Sequence, residues 1–136
     1  MTSPMKGIDH VAVAVHNADT AMRYYIDELG LELVGDEIAD DPGVRLVYLA
    51  AGNDRVQLVA PFRPGPVATW LETHGEGLHH ICFEVADIPV ALAAITGQDG
   101  RPVFRGGRDR RACFLDSTPA GVNIELTETE PSLIPG

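Results

Sequence analysis

Two histidines, His10 and His80, stand 70 positions apart at the same place in two copies of one local pattern. Gln57 and Glu125 occupy the matching place near the end of each copy. Two imidazole nitrogens, one amide oxygen and one carboxylate make a nitrogen and oxygen donor set suited to a six-coordinate divalent ion such as Mn, Co, Ni, Fe or Zn. Coordination positions would remain open for oxygens of a small molecule. A single strand histidine is commonly an ordinary half-buried side chain; the joint occurrence at equivalent repeat positions is what points to a metal. Cys82 and Cys113 are isolated, with no paired-cysteine spacing, so neither a thiolate zinc site nor a disulfide framework is expected. His16 and His74 read as surface residues, and His79 as a supporting or structural one. Glu84 reads the same way by default but is kept as a candidate base.

The elements that must hold these residues follow from the repeat. Gly7-Ile8-Asp9-His10-Val11-Ala12-Val13-Ala14-Val15 recurs as Gly77-Leu78-His79-His80-Ile81-Cys82-Phe83-Glu84-Val85. A capping residue follows each, Asn17 or Asp87, and then a helical pattern. In the first copy Ala18, Ala21, Met22, Tyr25, Ile26 and Leu29 recur at helical spacing, with Gly30 as the terminator. Strands are expected at 31–35, 44–50 and 55–59, divided by Asp40-Asp41-Pro42-Gly43 and Gly52-Asn53-Asp54. The second copy predicts a helix over 88–96 and strands over 102–104, 111–116 and 122–127. Each module is thus β-α-β-β-β, and the class is α+β. Such a unit leaves a sheet edge unpaired, so two repeated modules should form a curved mixed sheet with a central cup. Alternation along the strands sends Val11, Val13 and Val15 towards the helix and His10 to the cup face. The same parity sends Ile81, Phe83 and Val85 one way and His80, Cys82 and Glu84 the other. Gln57 opposes Val56 and Leu58, and Glu125 opposes Ile124 and Leu126.

The chain reads as one domain over 1–136: a first module at about 6–60, a connector over 61–76, a second module at about 77–128 and a loose tail over 129–136. The connector carries a short helix marked by Val67, Trp70 and Leu71 and ended by Gly75. Its 136 residues are 45% hydrophobic and 22% charged, enough to bury roughly two thirds of the unfolded surface without a metal or disulfide staple. Any metal is therefore expected to be functional. Ten basic against twenty acidic residues give a net charge of -10, which opposes nucleic-acid and anionic-membrane partners. The longest apolar stretch, 88–95, contains proline and is far shorter than a membrane span, and the start shows no targeting pattern. A cytoplasmic protein is expected.

At these residues the sequence resembles the vicinal oxygen chelate superfamily, also called the glyoxalase/bleomycin resistance/dioxygenase fold, over about residues 6–128. Within it, the stretch around His10, Tyr24-Tyr25 to Leu33, and above all Pro66-Val67-Ala68-Thr69-Trp70-Leu71-Glu72-Thr73-His74-Gly75-Glu76-Gly77-Leu78-His79-His80-Ile81 look like the methylmalonyl-CoA epimerases. The resemblance implies His10, Gln57, His80 and Glu125 as the metal ligands, the same four selected by repeat and parity, and a homodimer. It implies a metal-dependent epimerase that moves the α proton of methylmalonyl-CoA or a related acyl-CoA through an enolate. The divalent ion would stabilise the enolate oxygen, and Glu125 would transfer the proton. The opposite face needs a second acid/base, for which Glu84, Asp116 or a water on the ion are the candidates. Two departures stand out. The Gly-His-Gly and His-Pro-Lys segments of such epimerases are replaced by Gly106-Gly107-Arg108-Asp109-Arg110-Arg111 and Leu115-Asp116-Ser117-Thr118-Pro119. The second glutamate that some of them carry matches Leu46 here.

Five of the nine arginines, Arg101, Arg105, Arg108, Arg110 and Arg111, fall within eleven residues. In an acidic protein this segment is the natural place to bind an anionic substrate, with Arg108, Arg110 and Arg111 as forked guanidinium contacts. A solvated loop balancing the acidic surface is the plainer alternative. The same fold also hosts glyoxalase-like lyases or isomerases of other α-acidic carbonyl compounds, and nonenzymatic drug-binding resistance proteins. Four filled ligand positions disfavour the latter, and Gln57 as a fourth ligand counts against an extradiol dioxygenase.

Overall fold

Period-two alternation and turn chemistry produce each expected strand, though the one expected at 31–35 runs on over 32–39 and those expected at 111–116 and 122–127 occupy 111–114 and 124–128, in a computed structural model that describes residues 3–129. The elements are β1 (Met5–Ala14), α1 (Ala18–Met22), β2 (Glu32–Ala39), β3 (Val44–Ala51), β4 (Asp54–Pro61), α2 (Pro66–His74), β5 (Gly77–Val85), α3 (Ile88–Ala93), β6 (Phe104–Arg105), β7 (Arg111–Phe114) and β8 (Ile124–Glu128). The expected loose tail lies, beyond Thr129, outside the described residues.

The chain forms two compact units. One is His10–Ile81; the other joins the stretch up to Asp9 to the stretch from Cys82 onward. In the first, β2, β3 and β4 form an antiparallel meander, and β4 runs parallel to β1. Asn17 caps α1 by accepting from the Thr20 amide at 2.9 Å. The expected single helix widens after one turn into a π-helical segment, Arg23–Glu28, and closes at Gly30, whose φ of +77° suits glycine. One face of this sheet packs Leu58, Val47, Leu49 and Val15 against Ala18, Met22 and Tyr25. The other face packs Ala12, Ala14, Leu46, Tyr48 and Val59 under Val67 and Leu71 of α2. Each fully buried Leu or Val contributes about 1.5–3 kcal/mol relative to exposure.

In the second unit β6, β7 and β8 are antiparallel neighbours, with Phe114 opposite Glu125. Asp87 caps α3 by accepting from the Val90 amide at 3.0 Å. Ile88, Ala91 and Leu92 of α3 bury Val85, Cys113 and Leu126. This helix is shorter than the expected 88–96, and β6 begins later than the expected 102.

Candidate metal centre

His10 on β1 and His80 on β5 are both buried, and their Nε2 atoms lie 3.2 Å apart. Parity accounts for this: Val13 and Val15 belong to the core under α1, while Ala12 and Ala14, in step with His10, lie on the opposite face. Two imidazole nitrogens each about 2.0–2.1 Å from one ion and at right angles would be about 3 Å apart. The observed spacing therefore matches a pair of adjacent ligands. At the far side of its ring, His80 Nδ1 lies 2.8 Å from His79 Nδ1. A proton on His80 Nδ1 donated to His79 leaves the Nε2 lone pair of His80 for a cation. His79 in turn packs edge-on to Trp70, whose indole stacks on His74 at 4.6 Å. The connector helix α2 thus supports the orientation of a strand histidine.

Gln57 lies on β4 beside Ala12 of β1, on the same face as His10. Its Nε2 donates to the Tyr48 hydroxyl at 3.2 Å, and that hydroxyl donates to Glu37 Oε1 at 3.2 Å. Gln57 Oε1 is buried with no hydrogen-bond partner among the described residues. A buried carbonyl oxygen left so costs about 1–3 kcal/mol unless a further group uses its lone pairs. A divalent cation would use it. The donor chemistry of His10, His80 and Gln57 fits a borderline or hard ion of the kind the sequence suggested.

Glu125 is also buried, on β8, whose adjacent Leu126 belongs to the core under α3. Burial pushes the Cys82 thiol strongly up, and the carboxylates of Glu125 and Asp9 add to the effect, so Cys82 is a neutral thiol. Glu84 accepts from Arg110 at 3.1 Å. Arg110 also donates to Asp9 at 3.2 Å and to the Glu128 carbonyl at 2.9 Å, which leaves it 6% exposed. Arg108, in a left-handed conformation at φ 59°, pairs with Asp9 as well. Arg111 is half exposed and lies 3.6 Å from Glu128, while Arg105 pairs with Asp109 on the surface. The structure thus brings His10, Gln57 and His80 onto one unit and gathers Arg108, Arg110 and Glu84 around Asp9 in the other. Asp116 is exposed, its amide held by Gln98. Sequence reasoning passed over Tyr48, Glu37 and Asp9. Tyr48 carried a signal, a phenol among aliphatic residues of a buried strand.

A profile of the Glyoxalase/Bleomycin resistance protein/Dioxygenase superfamily matches residues 9–114, and the chain belongs to that superfamily. Among named relatives, the ethylmalonyl-CoA/methylmalonyl-CoA epimerase of Cereibacter sphaeroides is 36% identical over 126 residues, covering 80% of this chain and 94% of the relative. The mitochondrial methylmalonyl-CoA epimerase of Bos taurus is 36% identical over 129 residues, covering 89% and 73%. The crystal structure of methylmalonyl-CoA epimerase from Mycobacterium tuberculosis matches with a TM-score of 0.84 at 34% identity, covering 96% of this chain and 93% of that one. A Streptomyces coelicolor methylmalonyl-CoA epimerase variant in complex with 2-nitronate-propionyl-CoA matches with a TM-score of 0.82 at 32% identity, covering 93% and 99%. The fold is therefore the α+β glyoxalase type, and the chain is an epimerase-like isomerase. Among the described residues no helix is long and apolar enough to cross a membrane.

Proposed function

We propose that this enzyme is a metal-dependent epimerase of methylmalonyl-CoA or a closely related acyl-CoA, with His10, Gln57, His80 and Glu125 as the metal ligands. The observation that carries the reading is the buried His10–His80 pair at 3.2 Å beside a Gln57 oxygen that lacks a partner. Relatives at 36% identity named as epimerases of such thioesters supply the substrate class. Glu125 joins the set through the repeat, as the counterpart of Gln57 at the end of the second module.

A bound divalent ion supplies an electrophile for the enolate oxygen, worth several kcal/mol of charge stabilisation. The remaining work falls to side chains. Glu125 removes the α proton, its carboxylate being buried and thereby shielded from competing water. A second acid/base returns a proton to the opposite face, and Glu84 is the candidate, held by Arg110. Leu46, buried against Tyr48, Val59 and Leu71, gives the site an apolar wall where some epimerases carry a glutamate. For the CoA anion, Arg108 and Arg111 supply positive charge while Arg110 fixes the segment between them.

The test is deuterium incorporation at the α carbon of methylmalonyl-CoA in D2O, followed by mass. Protein loaded with Mn, Co, Ni or Zn should exchange the proton, and Glu125→Gln should not. Absence of exchange with all four metals would overturn the reading.

A further inference from the structure

The chain Gln57–Tyr48–Glu37 crosses three adjacent strands, and its hydrogen bonds have a fixed direction. An ionised carboxylate only accepts, so Glu37 obliges Tyr48 to donate its single hydroxyl proton at 3.2 Å. Towards Gln57 the phenol oxygen can then only accept. The group it meets at 3.2 Å must be the amide NH2 rather than the carbonyl. The carboxamide is therefore held with Oε1 on its other branch, where that atom is buried with no partner among the described residues.

The backbone keeps this relay in place. Tyr48 pairs across the sheet with Gly35 on one side and Gln57 on the other. A side chain at Gly35 would bring its Cβ to 3.0 Å from Tyr48 Cδ2, so glycine leaves the ring its seat. The ring also meets His10 edge-on, with centroids 6.3 Å apart. Glu37 lies opposite Leu46, one pair further along the same face.

We propose that Glu37, acting through Tyr48, is a positioning residue for the metal: it sets which end of the Gln57 carboxamide is offered to the cation. An amide free to turn would present NH2 hydrogens to a positive ion in one of its two orientations, and repulsion would follow. A carboxylate two groups away removes that orientation without touching the ion. The inference rests on the metal-binding reading above and assigns Glu37 and Tyr48 a part in it.

The experiment titrates Co(II) into metal-stripped protein and follows both affinity and the visible absorption of the bound ion. The variants are Glu37→Gln, Tyr48→Phe and, as a reference, His10→Ala. Glu37→Gln and Tyr48→Phe should weaken Co(II) binding about tenfold to a hundredfold, the range typical of groups that orient a ligand. In a Gln57→Glu background the same two changes should have little effect, because a carboxylate offers oxygen from either branch. Unchanged affinity in both variants while His10→Ala loses binding would overturn the positioning role and leave the metal site standing. An equal loss in the Gln57→Glu background would overturn it too, since the effect would then be general damage to the sheet. Co(II) binding unaffected by His10→Ala would overturn the metal reading itself, and the positioning role with it.

Discussion

Arg110 offers the sharpest separation between holding the fold and holding a substrate. Its side chain is 5% accessible and that of Asp9 is 3%, so the pair is withdrawn from water. The guanidinium bonds to Asp9, Glu84 and the Glu128 carbonyl at 2.9–3.2 Å. Replacing it by Met removes one charge and takes from Asp9 one of its two guanidinium partners. Breaking one partner of a buried ion pair costs about 3–5 kcal/mol. Asp9 keeps its contact with Arg108, which places the expected loss near the low end, about 3 kcal/mol. For a chain of this length that corresponds to a fall of roughly 10 °C in melting temperature. Arg111, half exposed, should shift stability by less than about 0.5 kcal/mol when changed to Met. The assay is urea unfolding by circular dichroism at neutral pH, with KM for methylmalonyl-CoA measured on the same samples. Asp9→Leu combined with Arg110→Met should recover only part of the loss, because the buried carboxylate is then gone but Arg108 loses its partner in turn. An Arg110→Met protein as stable as wild type would refute the reasoning, and a rise in KM without loss of stability would make Arg110 a substrate contact instead.

His10→Ala and His80→Ala should each lose metal on dialysis, measured by elemental analysis, while retaining a native far-ultraviolet spectrum, because the core forms without the ion. His79→Phe keeps the packing against Trp70 but removes the Nδ1 acceptor facing His80, so Co(II) affinity should fall about tenfold or more by titration. The Arg45 guanidinium, bonded to Asp36 at 2.7 and 3.0 Å, holds the Asp36 carboxyl below its ordinary value. A depressed carboxyl stabilises the fold above the unfolded-state value and loses that contribution as pH falls through the folded one. The stability difference between wild type and Arg45→Met should therefore be present at neutral pH and vanish in acid, read from urea midpoints across the range.

What the sequence reveals and what it hides divide along the range of the interaction. Strand parity is local, so the placing of His10 and Gln57 on the face away from α1 could be read two residues at a time, as could the caps at Asn17 and Asp87. The arginine segment showed the opposite case. Its excess positive charge was visible, but the carboxylate that Arg108 and Arg110 share belongs to Asp9, about a hundred residues away along the chain, and composition carries no trace of that pairing.

The Glu37 relay was hidden for a subtler reason. Between Leu33 and Gly35 the β2–β3 register shifts by one residue: Leu33 faces Leu49, yet Gly35 faces Tyr48. Continued without that bulge, the pairing of Leu33 with Leu49 would set Asp36 opposite Leu46 and turn Glu37 to the other side of the sheet. With it, Asp36 faces Val47 on the side where Arg45 pairs with it and with Asp19, and Glu37 comes round to the Tyr48 side. One extra residue in a strand thus decides which of two adjacent carboxylates serves the fold and which reaches the polar chain leading to Gln57. Simple alternation from Leu33 would have assigned them the other way.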